Sequence, residues 1–170
     1  MPPWREEAIH GQHARREFDC GNAALNDYLA RYARQNHKTG VSKTFVAVAE
    51  DQPKHILGYY SLSAGELEFD RVPRDLTERL PRYPLPVVRL ARLAVARSLQ
   101  GLGLGGQLLL SAGERALAVT EQTGVVALAI DAKDASAARW YRRFGALPLL
   151  DAPLSLVLPL RTIEEALRAR

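Results

Sequence analysis

The spacing of apolar residues in the first half of the chain predicts one helix followed by a β-hairpin. Apolar side chains recur at positions 25, 28, 29, 32 and 33, the i, i+3, i+4, i+7, i+8 spacing of an amphipathic helix. Asn22 is a suitable N-cap, so the helix is predicted over 23–36. Alternation around Phe45, Val46 and Val48 predicts a strand over 44–50. A turn at 51–53 then leads into a second strand over 56–64.

The second half alternates apolar strands with helical segments. Four prolines within 70–86 predict an irregular loop with at most one short helix around 76–80. Asp134 and Gly145 are the start and stop signals of a later helix. The predicted elements that follow the loop are a strand over 87–95, a helix over 103–121, a strand over 125–130, a helix from 134 to 144, strands over 147–150 and 154–160, and a terminal helix over 162–170. This order predicts a single mixed α/β domain over 1–170.

Composition narrows the class of protein. The hydrophobic fraction of 47% supports an ordinary core, and the lone Cys20 excludes an internal disulfide framework. A reducing compartment is expected, so we predict a cytoplasmic protein. No apolar run approaches the ~20 residues that a membrane span needs, and the N-terminus shows no secretory signal. The four histidines have no zinc-type spacing, so no metal is expected.

The chain is basic and its basic residues are mostly arginine. The net charge is +4 and the pI is about 9.5, with 19 arginines and 4 lysines. Arginine suits phosphate recognition because its planar fork donates two parallel hydrogen bonds. An Ala-, Leu- and Arg-rich chain also follows from genomic base composition. The charge therefore permits a nucleic-acid partner without requiring one.

A glycine-rich segment between a predicted strand and a predicted helix is the clearest chemical signal. Few Cβ atoms let backbone N–H groups approach a ligand, and a helix N-terminus adds unpaired donors and a positive dipole end. Both features favour a phosphate or pyrophosphate group. The segment consists of Gln100, Gly101, Leu102, Gly103, Leu104, Gly105 and Gly106.

Two ligands compete for this loop. Gly101, Gly103 and Gly106 match the G-x-G-x-x-G fingerprint of dinucleotide-binding domains, and Asp131 ends the next strand, where a ribose-binding acid would lie. However, five residues separate Gly101 from Val95, whereas the fingerprint glycine should follow its strand at once. Too few residues remain after the loop for the parallel strands of a dinucleotide domain. A dinucleotide is therefore the less favoured of the two candidate ligands.

The same loop satisfies the pattern [Gln/Arg]-x-x-Gly-x-[Gly/Ala] and resembles motif A of the GNAT N-acetyltransferases. Leu93, Ala94 and Val95 resemble the strand whose backbone contacts the pantetheine arm in that family. The resemblance implies acetyl-CoA as co-substrate, without a metal. It also implies the GNAT fold, a central mixed, mostly antiparallel sheet with splayed central strands flanked by helices.

A second GNAT-like motif lies downstream. Its positions here are Asp134, Ala137, Trp140, Tyr141, Phe144, Gly145 and Ala146, with Asp134, Trp140 and Ala146 replacing the family's Asn, Phe and Phe. The resemblance implies that Tyr141 protonates the departing thiolate and that Asp134 and Ala137 bind the cofactor. Arg143, and alternatively Arg142, is assigned to the CoA phosphates. Aromatic residues on a helix are otherwise more typical of a core.

The first half resembles the GNAT toxins of bacterial type II toxin–antitoxin modules. The matching stretches include Phe18-Asp19-Cys20-Gly21-Asn22 and 43–48. The resemblance implies acetylation of the α-amino group of aminoacyl-tRNA and thereby a block of translation. It further implies a ribbon-helix-helix antitoxin, operator DNA bound through that antitoxin, and a homodimer.

A tRNA substrate requires basic side chains near the acetyl site. The candidates are Arg31, Arg34, Lys38, Lys43, Arg89, Arg92 and Arg142. The sequence contains no obvious general base, although Glu66, Glu68 and Asp70 could serve. Two alternatives remain: a GNAT enzyme acting on a small-molecule or protein amine, and a non-catalytic module that binds acetyl-CoA or RNA.

Overall fold

The computed structural model describes all 170 residues as a mixed α/β protein. A seven-stranded, mostly antiparallel sheet has the strand order β1-β2-β3-β4-β5-β7-β6, which confirms the predicted fold class. The strands are β1 (Trp4–Ala8), β2 (Lys43–Ala49), β3 (Gln52–Leu67), β4 (Leu85–Val95), β5 (Ala127–Asp131), β6 (Leu147–Leu149) and β7 (Ala152–Pro159). The helices are α1 (Ala23–Arg31), α2 (Ala33–Thr39), α3 (Arg74–Thr77), α4 (Leu104–Val119), α5 (Ala135–Arg143) and α6 (Leu160–Arg168).

The chain divides into two compact units. The first unit comprises residues 1–63 and 92–111, and the second comprises residues 64–91 and 112–170. Strands β3 and β4 and helix α4 each run from one unit into the other. The loop 100–106 therefore belongs to the first unit and Tyr141 to the second.

The first unit contains a three-stranded antiparallel arrangement with a helix on each face. Strand β1 pairs antiparallel with β2, and β2 pairs antiparallel with β3. On one face, the hydroxyl of Tyr59 donates to the carbonyl of Leu25 in α1 over 2.7 Å. On the other face, a Cβ at Gly58 would lie 2.9 Å from Leu108 of α4. Gly58 thus lets α4 approach the strand closely.

The predicted helix 23–36 is wrong in its extent, because the structure has two helices that meet at Tyr32. Residues 34–39 are all polar, so no apolar stripe continues the first helix. Polar contacts set the position of α2 instead. Asn36 donates to the Tyr28 hydroxyl over 3.3 Å, and Nδ1 of His37 accepts from the backbone N–H of Thr44 over 3.0 Å.

The second unit is built on the parallel pairing of β4 with β5. The paired residues run from Val87 with Ala127 to Leu90 with Ile130, where the pairing ends. Strand β7 pairs antiparallel with both β5 and β6. The buried side chains of one sheet face form a cluster that consists of Leu67, Val72, Leu85, Val87, Ala127, Ala129, Leu149 and Val157.

Helices α4 and α6 pack closely within the second unit because α4 contains a glycine. A Cβ at Gly113 would lie 2.7 Å from Ile163 of α6. At the end of α5, Gly145 has a φ of +98°, as expected for the residue that terminates a helix in the left-handed conformation. The sequence signal at Gly145 is confirmed.

Three further elements differ from the sequence predictions. Strand β3 runs over Gln52–Leu67 rather than 56–64, so it includes two residues of the turn predicted at 51–53. Strand β1 was not predicted, because its sequence Trp-Arg-Glu-Glu-Ala is too polar to show an apolar alternation. As an edge strand it pairs with β2 on one side only, and the Tyr60 hydroxyl of β3 donates to the Glu6 carboxylate over 2.8 Å. The short helix of the proline-rich loop lies at Arg74–Thr77 rather than at 76–80, because Pro73 takes the position that precedes the first helical residue.

Gly58→Ala is expected to destabilise the protein. The new Cβ would lie 2.9 Å from both the Ala94 carbonyl oxygen and Cδ1 of Leu108, and the carbonyl belongs to a strand that cannot yield freely. Overpacking of this kind costs about 1–3 kcal/mol. Gly124→Ala is the matched control, since its nearest neighbour, Pro86, would be 3.9 Å away. Denaturant unfolding of both variants gives the comparison, and equal stabilities would contradict the close approach.

Candidate active site

The glycine loop adopts a backbone that only glycine takes readily. Gly101 has a φ of +82° and Gly103 a φ of +94°. A Cβ at either position would meet no atom within 4 Å. The glycines are therefore required by backbone conformation, and the space above them is open to a ligand.

Gln100 braces this loop. Its side-chain amide nitrogen donates to the carbonyls of Cys20 and Val95, each over 2.9 Å. Both amide hydrogens are thereby committed within the chain, which leaves only the side-chain oxygen for a ligand. The sequence pattern assigned Gln100 to the cofactor, and the structure shows that it also positions the loop.

Helix α4 begins at Leu104, directly after Gly103. The first intrahelical hydrogen bond of this turn runs from the N–H of Gln107 to the carbonyl of Gly103. The N–H groups of Leu104, Gly105 and Gly106 consequently have no acceptor within the helix. Together with the positive end of the helix dipole, they form a turn whose geometry suits an anionic group. Leu102 beside them is half exposed and Leu104 is buried.

The end of β4 is held by core packing and by a backbone hydrogen bond. The Ala94 side chain is buried in the core of the first unit, and Leu93 and Val95 are partly buried. The N–H of Ala96 donates to the carbonyl of Leu57 over 2.9 Å, which fixes the strand end before the loop.

Several side chains of the predicted basic surface already make contacts within the chain. Arg31, Arg34 and Lys38 are exposed on α1 and α2, but Arg31 pairs with Asp27 over 2.9 Å. The Lys43 ammonium donates to the carbonyl of His37 over 3.0 Å. The Arg92 guanidinium lies over the Tyr28 ring, 3.5 Å from its centroid. This cation–π contact holds Arg92 in place without neutralising its charge.

In the second unit, Tyr141 lies on α5 with its side chain buried. The Trp140 ring packs edge-on against it at a centroid distance of 5.0 Å. The Tyr141 hydroxyl makes no hydrogen bond within the chain and is not fully buried. Burial of the side chain raises the pKa of Tyr141 above its ordinary value. The phenol therefore stays protonated at neutral pH and keeps a proton to donate.

Asp134 is a helix cap, as its position before the helix predicted. Its carboxylate accepts the backbone N–H of Ala137 over 2.8 Å. That N–H is thereby engaged, so a contact from Ala137 to a cofactor would have to use other atoms. Arg142 and Arg143 are exposed in the last turn of α5.

Arg89 and Asp131 form an ion pair that the sequence did not predict. Nη1 of Arg89 lies 3.0 Å from Oδ2 of Asp131. Asp131 is the first residue of β5 beyond the last β4–β5 pair, and the two side chains line a cavity of about 180 Å³. The three acids that the sequence suggested as general bases do not line this cavity. Glu66 and Glu68 are exposed, and Asp70 pairs with Arg82 over 2.8 Å. No local sequence pattern indicates this pair, because Arg89 and Asp131 are 42 positions apart in the chain.

A second unpredicted cluster joins Glu7, His10 and His13. Their possible ligand atoms lie within 4.8 Å of one another. Nδ1 of His13 accepts the N–H of His10, and Nδ1 of His10 accepts the N–H of Gln12. The proton of each neutral imidazole is then on Nε2, which faces Oε1 of Glu7. Internal hydrogen bonds thus occupy the cluster, and the expectation of no metal stays a prediction. The repeated three-residue spacing of Glu7, His10 and His13 was the available sequence signal.

Comparison with known proteins identifies relatives of one kind. A family model described as an acetyltransferase (GNAT) domain matches residues 42–145. The chain is 33% identical over 141 residues to the tRNA-acetylating toxin of Mycobacterium tuberculosis, covering 83% of this chain and 82% of that protein.

Solved structures of the toxin AtaT have the same fold. AtaT complexed with acetyl-methionyl-tRNAfMet matches with a TM-score of 0.89 and 26% identity, over 97% of this chain and 99% of that chain. A tyrosine-to-phenylalanine mutant of AtaT, bound to the C-terminus of the antitoxin AtaR and acetyl-CoA, matches with a TM-score of 0.83 and 26% identity. Coverage in that case is 96% of this chain and 98% of the other.

None of the helices in this chain combines the length and the apolar character that crossing a membrane requires.

The Glu7–His10–His13 cluster is expected to make stability depend on pH. Burial lowers the pKa of His13 below its ordinary value of 6.5. The unfolded chain then binds the extra proton more readily, so this contribution is complete above about pH 6.5 and decreases as the pH falls below it. Denaturant unfolding between pH 7 and pH 5 measures this decrease. It should be smaller in His13→Gln and unchanged in His55→Gln, an exposed control. An identical pH dependence in all three proteins would contradict the assignment.

Proposed function

Because the chain belongs to the acetyltransferase (GNAT) family, we propose that it transfers the acetyl group of acetyl-CoA to the α-amino group of an aminoacyl-tRNA. Such a reaction removes the charged tRNA from elongation, so the protein would act as a translation-blocking toxin. The observation that carries this proposal is the match over most of the chain to a tRNA-acetylating toxin. The site geometry of both units supports it.

The first unit contributes the donor site. The open space above Gly101 and Gly103 and the unpaired N–H groups at the start of α4 suit the pyrophosphate of CoA. The backbone of Leu93, Ala94 and Val95 suits the amide groups of the pantetheine arm. Asp134, Ala137 and Arg143 are retained as proposed CoA contacts. Acetyl-CoA supplies the activated acetyl group.

The second unit contributes the proton donor. We assign this role to Tyr141, because its hydroxyl is protonated, unpaired within the chain and held on a buried side chain. When the amine attacks the thioester carbonyl, the carbon–sulfur bond breaks and the sulfur needs a proton. A phenol within hydrogen-bonding reach can donate it.

The acceptor assignment is supported by the basic residues and by the relatives. An α-amino group has an ordinary pKa of about 7.7–8.0, so much of it is unprotonated near neutral pH and little base assistance is needed. Arg34, Lys38 and Arg92 have no carboxylate partner and are available for phosphate contacts. Arg31, Lys43, Arg89 and Arg142 are the remaining proposed tRNA contacts.

The relatives also suggest the regulatory partner. AtaT binds the C-terminus of its antitoxin AtaR. We propose that this chain is likewise neutralised by an antitoxin, of the ribbon-helix-helix type and bound to operator DNA. A homodimer in the cytoplasm is the proposed state. A neighbouring reading frame for a small ribbon-helix-helix protein would support the pairing.

Gly103→Glu is expected to weaken acetyl-CoA binding by tenfold or more, at roughly 1.4 kcal/mol per tenfold change in affinity. The φ of +94° disfavours any side chain, and the carboxylate would repel the pyrophosphate. Gly103→Asn is the matched control, because asparagine tolerates positive φ and carries no charge. Calorimetric titration with acetyl-CoA distinguishes the two effects. An unchanged affinity in Gly103→Glu would remove the loop from the donor site.

The purified protein is expected to acetylate charged tRNA. Incubation with labelled acetyl-CoA and total charged tRNA, followed by mass spectrometry of the released aminoacyl-adenosine, identifies the amino acid. Tyr141→Phe should keep acetyl-CoA binding but lose about 10²–10⁴-fold in turnover, the usual contribution of a general acid. Label found only on a small-molecule or protein amine would replace the tRNA assignment. Normal turnover by Tyr141→Phe would remove Tyr141 from the mechanism.

A further inference from the structure

The cavity of about 180 Å³ in the second unit is lined by both apolar and charged residues. Its apolar residues come from β3, β5, β6 and β7. Its charged residues are Arg71, Arg89 and Asp131, and Ser155 adds a hydroxyl. Ser155 lies directly opposite Asp131 in the antiparallel pairing of β5 with β7. The polar groups therefore gather at the end of β5, where the β4–β5 pairing stops.

The Arg89–Asp131 ion pair leaves some hydrogen-bond donors and acceptors of both side chains available. Only Oδ2 of Asp131 and Nη1 of Arg89 make the 3.0 Å contact, which leaves Oδ1 and the other guanidinium N–H groups without that partner. Both side chains are partly exposed, at 30% for Arg89 and 47% for Asp131. Gly65 gives the guanidinium room, since a Cβ there would lie 3.4 Å from Nε of Arg89.

The charges of this pair balance, so the pair does not favour a simple anion or a simple cation. It is complementary to a group that presents a donor and an acceptor side by side. An α-amino ester is such a group, because its amine donates and its ester carbonyl accepts. The aminoacyl end of a charged tRNA is an α-amino ester.

We propose that Arg89 and Asp131 bind the aminoacyl end of the acceptor, with Asp131 accepting a hydrogen bond from the α-amino group and Arg89 donating to the ester carbonyl. This inference rests on the proposed function and deepens it. Arg89 was expected to contact tRNA phosphate, and this geometry assigns it to the ester instead. Hydrogen bonds to both groups would fix the direction of the amine lone pair.

The proton balance of the reaction is consistent with this arrangement. The amine lone pair forms the new C–N bond, the C–S bond breaks, and the sulfur receives a proton from Tyr141. The nitrogen loses one proton, which Asp131 accepts and passes to solvent through its exposed face. Solvent returns a proton to the Tyr141 phenolate, so the products are an amide and the free CoA thiol, with no net release of protons.

The Arg71–Asp151 pair provides a matched control in the same unit. Nε of Arg71 lies 3.0 Å from Oδ2 of Asp151, and the carboxylate is 59% exposed. Arg71 lines the same cavity, whereas Asp151 lies in the turn between β6 and β7 and does not. Asp151→Asn therefore removes a similar ion pair without changing the residue at the end of β5.

The first test compares Asp131→Asn, Asp151→Asn and the wild type with charged tRNA at saturating acetyl-CoA. Loss of a charge-assisted hydrogen bond predicts a fall in kcat/KM of about 10- to 100-fold for Asp131→Asn. Asp151→Asn should stay within about twofold, as expected for an exposed ion pair. Thermal melting checks that both variants fold. Equal losses in the two variants, or none in Asp131→Asn, would overturn the proposal.

The second test needs no tRNA and therefore separates this inference from the proposed function. Methionine methyl ester and its N-acetylated form are titrated into the CoA-bound protein, with binding followed by NMR. Wild-type protein should prefer the free amine, and Asp131→Asn should lose that preference. Wild-type protein that fails to acetylate charged tRNA but shows this preference would contradict the proposed function alone. No preference in the wild type would overturn the assignment of Asp131.

Discussion

The hydrogen-bonded pairing of β4 with β5 stops at Leu90 and Ile130, and the proposed chemistry depends on that stop. A parallel ladder normally satisfies the backbone groups on both of its strands. Beyond the last pair, Asp131 remains bonded to β7 on one side only. Its side chain turns to Arg89 instead, and both charged groups reach the surface of a cavity. β4 itself continues to Val95 and leads into the glycine loop.

The loop shows how two kinds of requirement are divided among neighbouring residues. Gly101 and Gly103 provide a backbone with positive φ and leave the space above it empty. Gln100 provides rigidity by joining Cys20 to Val95 through one amide group. Anion binding needs both properties, because N–H groups must be accessible and must already point the same way. A pattern match to the loop detects these residues together and does not separate their roles.

In the proposed mechanism, burial of Tyr141 serves chemistry as well as stability. The side chain packs beside Trp140, so the residue resembles an ordinary core aromatic. Its hydroxyl nevertheless lacks an internal partner, and burial raises the pKa of the phenol. A proton donor with these properties remains neutral until a basic group, such as a departing thiolate, arrives. An aromatic residue at such a helix position can be a core residue or a proton donor, so the sequence alone does not distinguish the two roles.

The sequence by itself determined the fold class, the glycine loop and the helix capped by Asp134, because these depend on local backbone preferences and on apolar spacing. It also located the strands around 44–50 and 87–95 within a few residues. Only the tertiary structure decided the break at Tyr32, since polar contacts from Asn36 and His37 override the helical period there. It alone joined Arg89 to Asp131. Ion pairs between distant residues depend on strand register, and register depends on the packing of the whole sheet rather than on any local pattern.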